Sequence, residues 1–241
     1  MNWKEEIIKY LIECGAELDQ QSKSVIKVKA KRIGFFSLGE EKKEELDVYV
    51  YEDQYRRKPA QLLSRLRSLC GLNEFRIHGR ATSVQLVDKK IATKFLNQNH
   101  LMGFGGGKYF LGLFHKDQLV ALAVFSKIRF MKYENPSYYS TELERYCSLE
   151  NTTVVGGLDK LIRHFLRQYE TDDLITYIDK EWSDGSAYLR LGFDLVNTTT
   201  PLSFSVSTET YERQVVSDKN SIPKEYILIK NKGNLKLRLL V

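Results

Sequence analysis

At 241 residues, with 42% apolar and 12% aromatic content, the chain can bury one large core or two small ones. The net charge of +6 permits a polyanionic partner without demanding one. Cys14, Cys70 and Cys147 are scattered and form no CxxC pair, which argues against a disulfide framework and a structural zinc site, and no apolar run reaches membrane-span length.

Reduced thiols and an N-terminus without a leader pattern, MNWKEEIIKYL, make the cytoplasm the expected compartment, with no membrane partner. Trp3, Ile7, Ile8 and Leu11 share one face of a short helix that Gly15 ends. Ser24 to Arg32 alternates apolar and basic residues, predicting one half-buried strand with a basic outer face. Leu46 to Tyr51 alternates again and is suited to pair with it, while the intervening GEEKKEE predicts a solvated loop. Lys58 to Cys70 predicts a helix with Pro59 in its first turn and Leu62, Leu63, Leu66 and Leu69 inward. Arg56, Arg57, Arg65 and Arg67 surround it, either as a solvated face or as contacts to nucleic-acid phosphates.

Phe75 to Val87 predicts a strand region, and Lys89 to Gln98 a short helix with Ile91, Phe95 and Leu96 inward. Gly103 to Gly107 lacks the GxxxxGK[ST] pattern and suits a mobile loop over a site better than a phosphate cradle. Tyr109 to Phe114 and Leu119 to Phe125 flank a short polar turn and predict a β-hairpin. Arg129 to Thr141, with Asn135-Pro136, predicts a loop.

Glu142 to Phe193 has the pattern strand, turn, helix, strand, turn, helix. Leu143 to Leu149 is the first strand, and Leu158, Leu161, Ile162, Phe165, Leu166 and Tyr169 follow at helical spacing. Leu174 to Ile178 suits a strand buried on both faces. Ser183 is a candidate cap for the second helix, and Gly192 sits where a left-handed C-cap belongs. Ligands of such βαβ units gather outside the carboxyl ends of the strands, here Asn151 to Gly157 and Asp179 to Tyr188. Leu202 to Val206 is a further strand, Lys219 to Pro223 a linker, and Tyr226 to Lys230 with Leu235 to Leu240 a terminal hairpin.

Gly156-Gly157 before a helix suits either an anion-binding turn or a tight turn packed on its strand. Asp179 can move a proton, orient a base, bind a metal or cap the next helix. Tyr188 is either a proton donor or a core aromatic. His100, at the junction with the glycine loop, is the best-placed histidine for a base. Glu144 and Arg145 precede the double glycine, and strand alternation sends one of them toward the cleft unless they pair internally. No GxSxG or HExxH pattern supports hydrolase or zinc chemistry.

The order from YFLGLFHKDQLVALAVF to AYLRLGF resembles the GNAT (acyl-CoA N-acyltransferase) fold over roughly Thr82 to Val206. That resemblance implies an α+β class, a mixed sheet flanked by helices, here with a small N-terminal α/β extension and a C-terminal hairpin. The corresponding division is 1–81, 82–206 and 207–241, the first segment a possible DNA-contacting module. AYLRLGF is similar to the family's last-helix motif, whose Tyr serves as general acid and falls at Tyr188. Acetyl-CoA or another acyl-type donor would sit at Val155, Gly156, Gly157 and Leu158. NTTVVGG departs from the family loop, with Val where its first Gly stands and Thr or Asn in place of Arg or Gln.

FLNQNHLMG, ELERYCSLENTTVVGG and ITYIDKEWSDGSAYLRLGF resemble more closely phage Mom-type DNA modification and homing-endonuclease-associated proteins. That likeness implies group transfer to a nucleic-acid base, with His100, Asp179 and Tyr188 as the catalytic set. Arg56, Arg57, Arg65, Trp182 and Ser183 would then contact DNA. An N-acetyltransferase acting on a protein or small amine, and a non-catalytic DNA-binding protein, are the alternatives. No metal and no oligomeric state is indicated.

Overall fold

A computed structural model of the chain describes residues 2–22, 24–42, 45–132, 137–216 and 225–241. The expectations for Asn135-Pro136 and for Lys219 to Pro223 lie outside the described residues. The chain begins with α1 (Trp3–Glu13), β1 (Leu18–Gln20), β2 (Val25–Val28), β3 (Lys31–Phe36), β4 (Val48–Tyr51), α2 (Glu52–Arg57) and α3 (Pro59–Leu69). Next come β5 (Phe75–His78), β6 (Ser83–Leu86), α4 (Lys89–Asn99), β7 (Tyr109–His115), β8 (Gln118–Phe125), β9 (Arg129–Phe130), β10 (Tyr139–Ser148) and β11 (Thr152–Val155). After these follow α5 (Gly157–Gln168), β12 (Asp173–Asp179), α6 (Ser186–Leu189), β13 (Asp194–Thr198), β14 (Ser203–Ser207), β15 (Arg213–Val215), β16 (Tyr226–Lys230) and β17 (Asn234–Leu240).

Contacts group the residues into two compact units. The first comprises Met1–Leu72, Ile178–Ser186 and Asn197–Leu235; the second comprises Asn73–Tyr177, Ala187–Val196 and Lys236–Val241. The sequence suggested consecutive segments 1–81, 82–206 and 207–241, whereas the grouping is interleaved because the strands late in the chain pair with distant partners.

The first unit holds a sheet in the order β1-β2-β3-β4, with β3 and β4 parallel and the other pairs antiparallel. Ser24 to Arg32 is not one strand. The chain turns after Val28, with Lys29 at φ 54°, and returns as β3. No Gly, Pro or Asn marks this turn; Lys29 Nζ donates to the Cys70 carbonyl at 2.9 Å. All four residues of β4 are buried, so the alternation of LDVYVY does not track solvent. Phe36 stacks on Tyr49 at 5.7 Å, within a cluster containing Tyr51, Val206 and Ile229. A second sheet has the order β15-β14-β16. The expected terminal hairpin does not form: β16 pairs with β14, and β17 enters another sheet. A short connection alone does not select a hairpin when each strand has a longer-range partner.

The second unit is a mixed eight-stranded sheet ordered β13-β17-β12-β10-β8-β7-β6, with β9 beside β10. The pairs β6–β7, β7–β8 and β8–β10 are antiparallel, and β10 and β12 are parallel with α5 as the crossover. Lys116 and Asp117, both at positive φ, close the β7–β8 hairpin. Successive strand residues face opposite sides. Val124 therefore packs with Ala92, Phe95 and Leu96 of α4, while Phe125 stacks on Phe165 of α5 at 4.0 Å. The fold is thus α+β, a mixed sheet flanked by helices. Ile91 is 55% exposed and not inward as expected; Ala92 takes that place.

Three further differences bear on function. Phe75 to Val87 breaks into β5 and β6 around a 3-10 turn at Gly79–Ala81. β11 forms within NTTVVGG and pairs in parallel with β5. The second helix shrinks to the single turn of α6, because Ser183 Oγ accepts from Gly185 N–H and Asp184 caps Ser186 instead.

Phe165 is fully buried against the Phe125 ring. Phe165→Ala should lower unfolding free energy by about 3–5 kcal/mol in urea titrations; a loss under about 1 kcal/mol would contradict this packing.

Candidate functional site

The sheet of the second unit opens in its middle. β10 and β12 pair only from Ser140↔Asp173 to Glu142↔Ile175. Beyond that rung the strands part, and Thr176 Oγ1 donates to the Leu143 carbonyl at 2.9 Å, replacing the ladder bond with a side chain. β10 meanwhile stays paired with β8 through Ser148, with a register shift between Leu143 and Arg145. Such a bulge sets two residues against one and re-aims their side chains. The edge of β10 from Glu144 to Ser148 is consequently turned away from the β12 ladder.

The glycine turn belongs to this same unit. Gly156 is left-handed at φ 70° and precedes α5. The first intrahelical bond runs from Lys160 N–H to Gly156 O at 3.1 Å, and no side chain caps the helix. The N–H groups of Gly157, Leu158 and Asp159 come before it and point out of the helix end. Nothing lies within 4 Å of the position a Cβ would take at Gly156. At Gly157 that position is crowded by Leu113 and Val154, each at 2.9 Å, and by Tyr146 Oη at 3.1 Å. The turn is therefore open on one side and packed on the other. The Asp159 carboxylate is held by Arg163 Nε at 2.8 Å. Burial pushes the Tyr146 phenol up, so it remains a protonated donor beside the helix terminus. Sequence reasoning missed Tyr146, which carries no motif signal. Val155 ends β11 and Leu158 lies in the first turn, both half-buried.

The glycine segment Gly103 to Gly107 packs on the bulge. A Cβ at Gly105 would stand 2.8 Å from Arg145 Nη2, and one at Gly107 would stand 3.1 Å from Glu144 Oε2. Both side chains face the segment. They do not form the internal ion pair: Arg145 Nη1 donates to the Glu144 backbone carbonyl at 2.7 Å. Arg145 Nε is buried with no hydrogen-bond partner among the described residues. An unmet buried donor costs about 1–3 kcal/mol, more when charged. Burial, together with the nearby Glu142 carboxylate, raises the Glu144 carboxyl above its ordinary range.

The three residues expected to be catalytic are divided between the units. His100 caps α4 in the second unit, and its Nδ1 accepts from Met102 N–H at 3.1 Å. Tyr188 lies on α6, its ring edge-on to Phe193 at 5.6 Å. Asp179 belongs to the first unit, where its Oδ1 accepts from Glu181 N–H at 2.8 Å and its carbonyl from Trp182 and Ser183 N–H. Burial raises the Asp179 carboxyl, opposed by the Glu181 N–H and by Arg65, Arg213 and Lys42.

Around Asp179 the first unit contains a buried polar network. Glu181, 1% exposed, takes a 2.5 Å ion pair from Lys42 and a 2.5 Å hydrogen bond from Tyr51 Oη. Lys42 lies in the stretch expected to be solvated. Arg213 grips buried Asp53 with two 2.8 Å bonds. The arginines expected on DNA have neighbours within this unit: Arg56 pairs with Glu52, Arg57 with Glu212, and Arg65 lies over the Trp182 ring at 4.7 Å. Among the described residues, no group of three or more His, Cys, Asp or Glu side chains is placed to hold a metal, and no helix is long and apolar enough to cross a membrane.

No protein-family model matches the sequence, and no curated protein does. Among solved structures the chain is similar to Arabidopsis thaliana Naa50 in complex with the bisubstrate analogue CoA-Ac-MVNAL, at 13% identity and TM-score 0.44, over 67% of this chain and 99% of that one. It is also similar to the Corynebacterium glutamicum histone acetyltransferase HPA2 and related acetyltransferase, at 10% identity and TM-score 0.41, over 67% and 97%. A third is a GNAT family acetyltransferase from Elizabethkingia anophelis with acetyl-CoA bound, at 10% identity and TM-score 0.39, over 67% and 99%. At these scores the likenesses say nothing of chemistry.

Lys42→Met should destabilise the chain by about 3–5 kcal/mol in denaturant titrations, because it leaves the Glu181 carboxylate buried without its cation. Asp179→Asn keeps an acceptor for Glu181 N–H while removing the charge. A raised folded-state value means the folded chain binds more protons, so the Asp179 contribution weakens as pH rises above about 4. The variant should therefore gain stability relative to wild type between about pH 4 and 7. A pH-independent difference in melting temperature would contradict this.

Proposed function

We propose that the chain is a GNAT-like N-acyltransferase that moves an acyl group from an acyl-CoA to an amine. The observation that supports this most is the early parting of β10 and β12 in the unit that also holds the uncapped amino end of α5. Free N–H groups, a helix dipole and the open space at Gly156 suit a pyrophosphate. The unpaired edge of β10 suits an extended arm bearing amides, which can complete its hydrogen bonds. These features fit the group even though Val155 replaces the glycine of the family loop. When bound, acyl-CoA supplies an activated thioester.

The remaining roles fall to the protein. Val155, Gly156, Gly157 and Leu158 hold the donor's anionic part. Glu144, whose raised value brings it closer to neutral pH, takes the proton that the attacking amine nitrogen loses as it bonds to the acyl carbon. Tyr188 gives a proton to the departing sulfur as the carbon–sulfur bond breaks. Charge on the acyl oxygen is met by N–H groups of the β10 edge.

We rank a DNA base below a small or peptide amine as acceptor. The arginines that would support DNA are engaged with Glu52, Glu212 and Trp182. Mass spectrometry of nucleosides from cells expressing the protein tests that acceptor directly; a new nucleoside would reverse the ranking.

Calorimetric titration of acetyl-CoA should show saturable binding with a Kd on the order of micromolar. Gly156→Val, which fills the open space and places a β-branched residue at positive φ, should weaken it at least about tenfold with retained circular dichroism. Absence of saturable binding by the wild type at millimolar donor sinks the proposal.

A further inference from the structure

Resting on that reading, we propose that the Nε–Nη2 edge of Arg145 docks a carboxylate carried by the amine acceptor, so that the acceptor class is amino acids. The guanidinium is a planar fork, and its Nε–Nη2 edge matches two carboxylate oxygens with parallel N–H bonds. In Arg145 only Nη1 makes a hydrogen bond among the described residues, to the Glu144 carbonyl. That bond fixes the plane of the group. It leaves the opposite edge without a partner, and Nε is buried.

The unused edge is covered by the backbone of Gly105, a residue with no side chain to fill it. The Cβ position at Gly105 lies 2.8 Å from Nη2, 3.4 Å from Cζ and 3.7 Å from Nε. Any residue but glycine would press on the fork. A carboxylate seated there displaces the glycine segment, and Gly103, Gly106 and Gly107, all at positive φ, give that segment a backbone that other residues rarely adopt.

The neighbouring charges select the anion. Glu142 and Glu144 stand on the same strand, and Glu142 is 3.7 Å from Arg129 Nη2. The Glu144 carboxylate on the adjoining residue, close enough to Glu142 for the two to repel, disfavours a dianion such as phosphate and tolerates a monoanion. Glu144 and Arg145, brought onto the same segment by the bulge, then address the two ends of one molecule: Glu144 its amine, Arg145 its carboxylate. An amino acid carries both within a few bonds.

The test compares each of a panel of amino acids with the amine left by removing its carboxyl group, reading release of CoA from acetyl-CoA. 2-Aminoethylphosphonate serves as the phosphate-like arm. The amino acids should have the higher kcat/KM. Arg145→Gln should cut the ratio of carboxylated to decarboxylated amine at least tenfold, mainly through KM. Gly105→Ala, at a position without positive φ, should move the ratio the same way and guards against a folding defect in the first variant. An unchanged ratio with continued CoA release overturns the inference and leaves acyl transfer standing, as does preference for the phosphonate. If wild type releases no CoA, acyl transfer falls and calorimetric titration of the amino acids alone decides. Binding lost in Arg145→Gln upholds the carboxylate site, and no binding by wild type overturns it.

Discussion

The rest of the second unit depends on where the parallel pairing of β10 and β12 stops. A central sheet ordinarily satisfies its backbone groups rung by rung. Here the ladder ends after Glu142↔Ile175, and Thr176 supplies one bond in place of the next rung. The bulge after Leu143 then lets β10 stay with β8 while its other edge is left for something else to satisfy. The same shift sets Glu144 and Arg145 against the glycine segment. A backbone irregularity of one residue thus produces both the open edge and the charged pair beside it.

The packing that holds this opening is conventional. α4 and α5 cover opposite faces of the sheet through alternate residues of β7 and β8, with Phe125 on Phe165 and Val124 among the α4 side chains. Gly157 has to be glycine for α5 to approach Leu113, Val154 and Tyr146 so closely. Gly156 has to be glycine for a different reason, its left-handed backbone. The two adjacent glycines therefore serve separate needs, packing below and access above. The first unit spends its polar groups differently: Glu181 and Asp53 are buried but each meets a cation, so the desolvation of charge is offset within the unit.

Much of this was legible in the residues. The period of Leu158, Leu161, Ile162 and Phe165 and the β7–β8 hairpin stand where the pattern put them, and Leu174 to Ile178 is a strand as expected, though with Tyr177 40% exposed it is not buried on both faces. Local chemistry was less legible. Lys29 turns the chain without any turn residue, and Ser183 bonds Gly185 rather than starting a long helix. Lys42 looks like part of a solvated charge run, yet it is the cation of a buried glutamate. Arg56 and Arg57 look like free positive charge and are paired with acids. In each case a partner distant in sequence, or a bond to a residue two to four positions away, outweighed the local preference.

The sequence by itself determined α4, the β7–β8 hairpin, α5 and β12 of the second unit, because hydrophobic period is a local property and burial enforces it, but not β9, β11 or β13. It also determined the glycine pair before α5, because backbone freedom belongs to the residue. Only the tertiary structure decided that Tyr226 to Lys230 and Leu235 to Leu240 part into different sheets, since strand pairing is settled by which edges are open elsewhere. Only it decided that Asp179 is half-buried near Arg65, Arg213 and Lys42, and that Arg145 has one edge of its guanidinium unused. Charge, burial and hydrogen-bond satisfaction depend on neighbours that the linear order does not bring together.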